Sequence, residues 1–319
     1  MKRFTSVHDL IAGPGIDAAM QRALEFAADP WRQDTLGRRR TVGLLFMNPS
    51  LRTRMSTQKA ASLLGAETIV LNAGSDSWTL ETRDGVVMDG STTEHIKEAA
   101  AVMGQYCDVL GLRTFAGLTD RQHDYQETVL EKFIAYAGVP VISLESATRH
   151  PLQSFADLIT IEQHKTRERP KVVLTWAPHP KALPQAVANS FVEWMRHADV
   201  ELVVTHPKGY ELDPSFVGDA TVVHDRDAVF EGAEFIYAKN WSAVDPYGAI
   251  LSQDKSWTVS ENAMSRTNNA KFMHCLPVRR NMIVDDAVID APTSIVIPQA
   301  ANRVVSAQTV LSYMLEGLG

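Results

Sequence analysis

Short apolar runs rich in β-branched residues alternate with amphipathic stretches along the whole chain. This alternation constrains the fold most, because strands separated by helices form βαβ units with parallel sheets. The predicted strands are residues 41–46, 68–71, 109–112, 140–144, 171–175, 201–205, 234–238, 271–274 and 294–297. The predicted helices are residues 56–64, 92–105, 152–164, 184–196 and 302–316. In such folds, ligands bind at the carboxyl ends of the strands.

The length of the chain favours two domains. Its 319 residues exceed what one hydrophobic core usually holds, since most domains have about 50–200 residues. We predict an α/β fold of two domains, each a parallel sheet flanked by helices, with the active site in the cleft between them. Residues 1–148 would form the first domain and residues 149–301 the second. The terminal segment 302–319 is predicted to pack back on the first domain.

Charge and cysteine content narrow the classes of partner. The formal net charge of −7 argues against a nucleic-acid partner, because binding to phosphates needs a basic face. Only two cysteines occur, Cys107 and Cys275, so a disulfide framework is not expected and a reducing cytoplasm fits better. No stretch approaches the ~20 apolar residues that span a bilayer, and the first residues lack the apolar core of a signal peptide. We therefore expect a cytoplasmic protein that binds neither nucleic acid nor membrane.

The sequence Ser-Leu-Arg-Thr-Arg at residues 50–54 lies between the first predicted strand and a predicted helix. A helix N-terminus offers unpaired N–H groups and a partial charge of about +0.5, which together attract anions. The hydroxyls of Ser50 and Thr53 and the guanidinium groups of Arg52 and Arg54 add donors suited to phosphate. The same residue types also suit a capped surface helix with two solvated arginines.

Two further polar turns follow predicted strands. Arg-His-Pro-Leu-Gln at residues 149–153 offers His150 and Gln153 as partners for a carbonyl oxygen and an amide. His-Cys-Leu-Pro-Val-Arg-Arg at residues 274–280 places Cys275 at a strand end beside two arginines, where a cysteine can be reactive or form the polar wall of a site. A structural histidine and a buried, inert cysteine are the alternatives for these turns.

In combination, the three motifs resemble the carbamoyltransferase family, which includes the aspartate and ornithine enzymes. The resemblance covers essentially the whole chain, including Gly-Leu-Arg at residues 111–113 and Asn-Arg at residues 302–303. It implies transfer of the carbamoyl group of carbamoyl phosphate to an amine by a homotrimer with shared active sites. It implies no cofactor, because carbamoyl phosphate is already activated. No metal is expected either, because the ten histidines show no ligand-like spacing.

The resemblance also assigns roles to residues. Residues 1–148 would bind carbamoyl phosphate, and residues 149–301 would bind the acceptor. The implied carbamoyl-phosphate ligands are Ser50, Leu51, Arg52, Thr53, Arg54, Trp78, Arg113, His150, Gln153, Cys275, Leu276 and Arg303. Trp78 would reach in from a neighbouring subunit. The implied catalytic residues are Arg113, His150, Cys275 and Arg303; the two arginines and the histidine would form an oxyanion hole.

The acceptor is implied by departures from the ornithine enzymes. Those enzymes grip a free α-amino group with an Asp…Ser-Met-Gly signature, whereas this chain has Tyr-Ala-Lys-Asn-Trp at residues 237–241. The charge of Lys239 would repel a free α-ammonium group but suits an acylated α-nitrogen. Together with Ser-Trp at residues 77–78 and Trp-Ala-Pro-His-Pro at residues 176–180, this pattern resembles the acylornithine carbamoyltransferases of arginine biosynthesis. The implied acceptor ligands are Thr93, Glu145, His179, Lys239 and Arg279.

Two positions bear on the acyl group. Thr93 stands where the acetyl branch has glutamate and the succinyl branch proline, and Ile283 stands where the acetyl branch has a lysine that can be carboxylated. A carboxylate would repel a succinyl tail and Thr93 does not, while Arg279 offers the tail a positive partner. We therefore expect N-succinyl-L-ornithine as the acceptor, with N-succinyl-L-citrulline and phosphate as products. N-acetyl-L-ornithine remains the alternative.

Two other classes of protein fit the residues less well. A dinucleotide-dependent oxidoreductase would need Gly-x-Gly-x-x-Gly after a strand, and this chain has none. A non-catalytic binding module would not need arginine, histidine and cysteine side chains at so many strand ends and helix starts.

Overall fold

The computed structural model describes residues 1–318, and its backbone divides into two compact units. The first unit comprises residues 1–117, 122–152 and the chain from Arg303 onward. The second comprises residues 118–121 and 153–302. The main division falls between Leu152 and Gln153, whereas the predicted boundary lies between residues 148 and 149.

The first unit is built on a five-stranded parallel sheet in the order β1-β7-β6-β2-β3. A short parallel pair, β4 and β5, lies outside this sheet. The strands are β1 (Arg3–Phe4), β2 (Thr41–Phe46), β3 (Glu67–Asn72), β4 (Leu80–Glu81), β5 (Glu94–His95), β6 (Val109–Arg113) and β7 (Val141–Glu145). The helices are α1 (Val7–Ile11), α2 (Ile16–Ala28), α3 (Arg52–Leu63), α4 (Ile96–Tyr106), α5 (Arg121–Tyr125) and α6 (Thr128–Tyr136).

Strand β2 lies between β6 and β3, and five of its six residues are buried. Burial on both faces explains its continuous apolar sequence. Gly43 interrupts that run because a Cβ there would lie 2.6 Å from the Cys107 sulfur and 2.7 Å from a methyl carbon of Leu110. In this register, Phe46 is paired with Arg113, so the ends of β2 and β6 meet at the same edge of the sheet.

The second unit has its own five-stranded parallel sheet, in the order β10-β9-β8-β11-β12. The strands are β8 (Lys171–Trp176), β9 (Glu201–Thr205), β10 (Thr221–Val223), β11 (Phe235–Lys239) and β12 (Lys271–Met273). The helices are α7 (Pro151–His164), α8 (Ala186–Met195), α9 (Pro214–Val217), α10 (Arg226–Phe230), α11 (Glu261–Met264), α12 (Asp286–Ile289) and α13 (Val296–Glu316). Both α7 and α13 continue across a division between the units.

The prediction of a strand at residues 294–297 is wrong. Only Ser294 forms an isolated bridge, with Phe272, and α13 begins at Val296. Pro298 lies in the first helical turn, where its missing N–H group costs no hydrogen bond. The predicted helix 92–105 begins at Ile96, because residues 94–95 pair with β4 instead. Strands β1, β4, β5 and β10 were not predicted; each has two or three residues, too few for a periodic pattern.

No helix within residues 1–318 combines the length and the apolar character that crossing a bilayer would require.

Candidate active site

The sequence at residues 50–54 forms the turn that leads from β2 into α3. The Ser50 hydroxyl accepts a hydrogen bond from the backbone N–H of Thr53 at 3.2 Å, which satisfies one donor of the first helical turn. Leu51 is 68% exposed, so its apolar side chain does not contribute to the hydrophobic core of the first unit. The predicted strand–turn–helix arrangement is present, with a helix N-terminus at the carboxyl edge of the sheet.

Arg54 is held by contacts with residues at the ends of β2 and β3. Its guanidinium group donates to the side-chain oxygen of Asn72 and lies 5.2 Å from the centroid of the Phe46 ring. The side-chain amide of Asn72 in turn donates to Asp76 at 2.6 Å. Hydrogen bonds from the backbone and side chain of Asn72 hold the pKa of Asp76 below its usual value. Asn72 was missed by the sequence analysis, although its position at the end of β3 was a usable signal.

Thr53 is the point where two arginines meet. Its buried hydroxyl lies 3.2 Å from Nη1 of Arg113 and 2.5 Å from Nη2 of Arg303. Arg113 ends β6, Thr53 lies in the first turn of α3, and Arg303 lies on α13. All three side chains are at least nine-tenths buried. Residues separated by up to 250 positions are therefore gathered around one hydroxyl of the first unit.

Glu145 and His150 complete this group, which we call the donor cluster (Thr53, Arg113, Glu145, His150 and Arg303). The Glu145 carboxylate accepts from Nη1 of Arg113 at 2.5 Å and lies 3.4 Å from Nε2 of His150. Nε2 of His150 is also 3.4 Å from Nη2 of Arg303. Two guanidinium groups and one carboxylate are thus gathered in a buried place. Such a concentration of charged donors suits an anionic ligand.

Trp78 and Thr93 lie together on the β4–β5 segment of the first unit. Trp78 is 54% exposed, and its indole N–H donates to Glu94 at 2.7 Å. Thr93 is exposed, and its backbone N–H donates to the carbonyl of Thr79 at 3.1 Å. The structure thus presents both side chains at the surface of this unit.

In the second unit, two of the predicted acceptor residues lie at or just after the ends of β8 and β11, namely His179 and Lys239, and Arg279 follows β12. The backbone N–H of Ala177 donates to the carbonyl of Lys239 at 3.1 Å, and the side chain of Asn240 donates to the carbonyl of Ala177 at 2.7 Å. These bonds fix Lys239, which is only 8% exposed. Arg279 donates from Nε to Nε2 of His179 at 3.1 Å, and Nδ1 of that ring lies 2.9 Å from the carbonyl oxygen and 3.0 Å from the backbone nitrogen of Lys181.

The surroundings of His179 are cationic. Burial lowers the pKa of His179 below its ordinary value, and the charges of Arg279, Lys239 and Lys181 lower it further. A neutral ring is also what the Arg279 contact requires, because a protonated ring has no lone pair to accept that hydrogen bond. His179, Lys239 and Arg279, which we call the acceptor cluster, therefore form a positive site for an anionic ligand.

A buried polar network supports the turn at residues 274–276. One carboxylate oxygen of Asp157 accepts from the side-chain amides of Gln153 at 2.8 Å and Gln299 at 2.7 Å. Gln299 then accepts from the backbone N–H of His274 at 2.9 Å. Nδ1 of His274 accepts from the backbone N–H of Leu276 at 2.8 Å. Gln153 and the turn that carries Cys275 are thus oriented through one carboxylate.

The backbone of that turn is strained at Leu276, and the buried hydroxyl of Tyr237 lies near Cys275 of the same turn. Leu276 has a φ of 54°, a left-handed conformation that costs a non-glycine residue about 1–3 kcal/mol and is concentrated at functional sites. Burial, with Asp157 and Cys275 nearby, raises the pKa of Tyr237 well above its ordinary value, so its hydroxyl stays protonated. Asp157, Gln299 and Tyr237 were missed by the sequence analysis. The i, i+4 spacing of Gln153 and Asp157 on a helix was the one available signal.

Comparisons with known proteins agree with this geometry. The carbamoyl-P binding domain of aspartate/ornithine carbamoyltransferases matches residues 2–163, and their Asp/Orn binding domain matches residues 184–314. The chain belongs to the aspartate/ornithine carbamoyltransferase family. The resemblance drawn from the sequence motifs is thereby confirmed, as is the fold class of parallel sheets flanked by helices.

Relatives and solved structures of this family cover the full chain. The chain is 58% identical over 320 residues to an N-succinylornithine carbamoyltransferase of Bacteroides thetaiotaomicron, with 100% of both chains covered. It is 35% identical to an N-acetylornithine carbamoyltransferase of Xanthomonas axonopodis pv. citri, covering 100% of this chain and 98% of the relative. A mutant of N-acetyl-L-ornithine transcarbamylase complexed with carbamyl phosphate and N-succinyl-L-norvaline matches with a TM-score of 0.92 at 34% identity, covering 98% of this chain and 100% of that one.

We expect His179 to make the free energy of unfolding depend on pH. Its folded pKa is lowered from 6.5, so the unfolded chain takes up the proton first on acidification. The contribution that the neutral ring makes to the free energy of unfolding is fully present above pH 6.5. It is lost as the pH falls through the lowered pKa of the folded state. His179→Gln should flatten this part of the plot of Tm against pH. His197→Gln, at an exposed histidine of the same unit, should leave it unchanged, and identical profiles for the two variants would contradict the assignment.

Proposed function

We propose that this chain transfers the carbamoyl group of carbamoyl phosphate to the side-chain amine of N-succinyl-L-ornithine, giving N-succinyl-L-citrulline and phosphate, in a cytoplasmic step of arginine biosynthesis. The observation that carries the proposal is the donor cluster, in which buried arginines converge on Thr53 at a helix N-terminus. The similarity to the Bacteroides enzyme named above supports the choice of acceptor.

The phosphate of the donor is bound by the turn at residues 50–54. The N-terminus of α3 supplies backbone N–H groups, and Ser50, Arg52, Thr53 and Arg54 supply side-chain donors. Hydrogen bonds to Glu145 and Thr53 already fix the guanidinium groups of the donor cluster, those of Arg113 and Arg303. Little ordering is then needed at the moment of binding.

The carbamoyl carbon is attacked by the side-chain amine of the acceptor. A C–N bond forms, the carbonyl oxygen becomes negative in the tetrahedral intermediate, and the bond to the phosphate oxygen then breaks. Arg113, His150 and Arg303 donate to the oxygen as its charge develops. Gln153 and the turn with Cys275 and Leu276 accept from the carbamoyl NH2 group. Because the amide nitrogen of Gln153 faces Asp157, its oxygen is the atom that serves as acceptor.

The attacking amine must lose a proton, since an alkyl ammonium has a pKa of about 10.4 and is not nucleophilic. Positive charge in the acceptor cluster favours the neutral amine. The departing phosphate and Cys275 are the two candidate proton acceptors. Proton transfer to either of these groups requires no cofactor.

The acceptor cluster selects the acyl group through charge. Lys239 suits the α-carboxylate, and Arg279 suits the distal carboxylate of a succinyl tail. Arg280 is the natural comparison, because it already forms ion pairs with Asp286 at 2.9 Å and Asp290 at 2.7 Å. Thr93 adds no negative charge that would repel the tail.

We expect kcat/KM for N-succinyl-L-ornithine to exceed that for N-acetyl-L-ornithine, with free ornithine nearly inert. Loss of one charge-assisted hydrogen bond is worth about 1.5–3 kcal/mol, or about ten- to hundred-fold in rate. Arg279→Gln should therefore lower kcat/KM for the succinyl substrate by that factor and change the acetyl value little. A citrulline colour assay with each acceptor measures both.

Two variants control this experiment. Arg280→Gln removes the same charge one residue away and should keep the preference for the succinyl substrate. Thr93→Glu should shift the preference toward the acetyl substrate. Native enzyme that used the acetyl compound better would overturn the succinyl assignment while leaving carbamoyl transfer intact.

We expect Asp157→Asn to lower kcat/KM for carbamoyl phosphate about tenfold, because one charged acceptor orients both Gln153 and the 274–276 turn. Thr160→Val is the matched control. It removes a buried hydroxyl on the same helix that bonds to Ala156 and Asn302. Both variants should lower Tm, and only Asp157→Asn should raise KM for the donor. Equal kinetic effects would reduce Asp157 to a structural role.

We also propose a homotrimer in which Trp78 completes the donor site of a neighbouring subunit, since a 54% exposed tryptophan in a polar segment has no core of its own to fill. Trp78→Ala and Arg52→Ala should each be inactive alone. Equal mixtures should regain about a quarter of native activity after subunit exchange, because each shared site needs one intact residue from each of two neighbours. Trp31→Ala, at a tryptophan that is also 54% exposed, should stay active. No recovery after verified exchange would contradict sharing.

A further inference from the structure

Two histidines and a glutamate converge at one edge of the second unit's sheet. His206 directly follows β9, and His224 directly follows β10, the edge strand paired with it. Glu211 lies on the connection between these strands. One ligand atom of each residue lies within 4.8 Å of the others. None of the three belongs to the donor cluster or the acceptor cluster.

Each of the two imidazoles has its Nδ1 atom next to a backbone carbonyl. Nδ1 of His206 lies 2.8 Å from the carbonyl of Pro207, and Nδ1 of His224 lies 3.0 Å from the carbonyl of His206. A carbonyl only accepts, so Nδ1 carries the proton in both neutral rings and Nε2 keeps the lone pair. Histidines that bind metals show this arrangement, in which a backbone carbonyl fixes the tautomer.

Contacts between aromatic rings account for the positions of the two histidines but not for that of Glu211. The two rings lie edge to face with centroids 5.0 Å apart, and the His206 ring also lies 6.1 Å from the Trp241 ring. That packing fixes His206, which is buried, as a rigid anchor. It does not explain why the carboxylate of Glu211 is directed to the same place, held by a hydrogen bond from the backbone N–H of Gly209 at 3.2 Å.

We propose that His206, Glu211 and His224 bind a divalent transition-metal ion of the zinc type. Two imidazoles and one carboxylate are a ligand set that Zn²⁺ accepts, with a fourth position left for water. Ligand atoms around tetrahedral Zn²⁺ lie about 3.3 Å apart, given bonds of about 2.0–2.2 Å. The ligand atoms lie within 4.8 Å of one another, so small rotations of the exposed Glu211 and His224 side chains toward the buried His206 would bring them to this spacing.

The role of this ion is structural. It would join the carboxyl end of β9 to that of the edge strand β10, which has only three residues. An edge strand this short has few ladder hydrogen bonds of its own, so a cross-link between its end and the neighbouring strand limits local opening. A ligand that binds only the folded chain also stabilises it by mass action.

The test uses the full-length chain, freed of any affinity tag and of metal. Titration with Zn²⁺ against a competing chelator dye should show one tight site per chain, and Co²⁺ in its place should give the visible absorption of a tetrahedral ion. Zn²⁺ should raise Tm. His224→Gln and Glu211→Gln, both at exposed positions, should weaken binding of Zn²⁺ at least tenfold and abolish the rise in Tm. His197→Gln, an exposed histidine of the same unit, should change neither.

Two further measurements make the outcome decisive. Cys275→Ser should leave the tight site intact, because the proposed ligands contain no sulfur. Carbamoyl transfer by metal-free native protein should be unchanged at temperatures well below Tm, since the ion does not contact the reacting groups. Unchanged affinity in His224→Gln and Glu211→Gln, loss of the tight site in Cys275→Ser, or no binding at micromolar Zn²⁺ would each overturn the proposal.

Discussion

The hydroxyl of Thr53 is the contact on which the donor site depends. It accepts from Arg113 and Arg303, so it holds two like charges close together at a helix N-terminus that is itself partly positive. Like charges brought together in a buried place repel each other, and the ion pair of Arg113 with Glu145 offsets part of that repulsion. In the proposed reaction, the phosphate of the donor would be a further counter-charge for both guanidinium groups.

Most strands of both sheets and the strand-end motifs were predictable because parallel strands are buried on both faces and read as apolar runs. Eight of the predicted strands, such as 41–46 and 201–205, lie within two residues of their observed bounds. The run at 294–297 failed because β-branched residues suit a strand locally, while Pro298 and packing beyond the window favour the first turn of α13. Local composition does not carry that information.

Side chains assigned by motif were found at strand ends and helix starts, but the residues that hold them were not predicted. Asp157 orients Gln153 from the next helical turn, and Gln299 reaches the same carboxylate from a position 142 residues away. Glu145 was predicted as an acceptor ligand, and its carboxylate contacts Arg113 in the donor cluster. The proposed metal-ligand set was missed for the same reason, since His206 and His224 are 18 residues apart and meet only because β9 and β10 pair.

Both substrates of the proposed reaction are anions, which explains why cations recur in each unit of an acidic chain. Carbamoyl phosphate and the two carboxylates of N-succinyl-L-ornithine repel each other, so neither can serve as counter-ion for the other. In the proposed reaction, Arg113 and Arg303 would meet this need in the first unit, and Lys239 and Arg279 would meet it in the second. The net charge of −7 is a property of the whole chain. The proposed chemistry depends instead on a few local positive charges, those of three arginines and a lysine. A neutral acetyl group would leave Arg279 with His179 as its partner, whereas a succinyl tail would add a carboxylate, and that difference in charge is the basis that we propose for selecting the longer acyl tail.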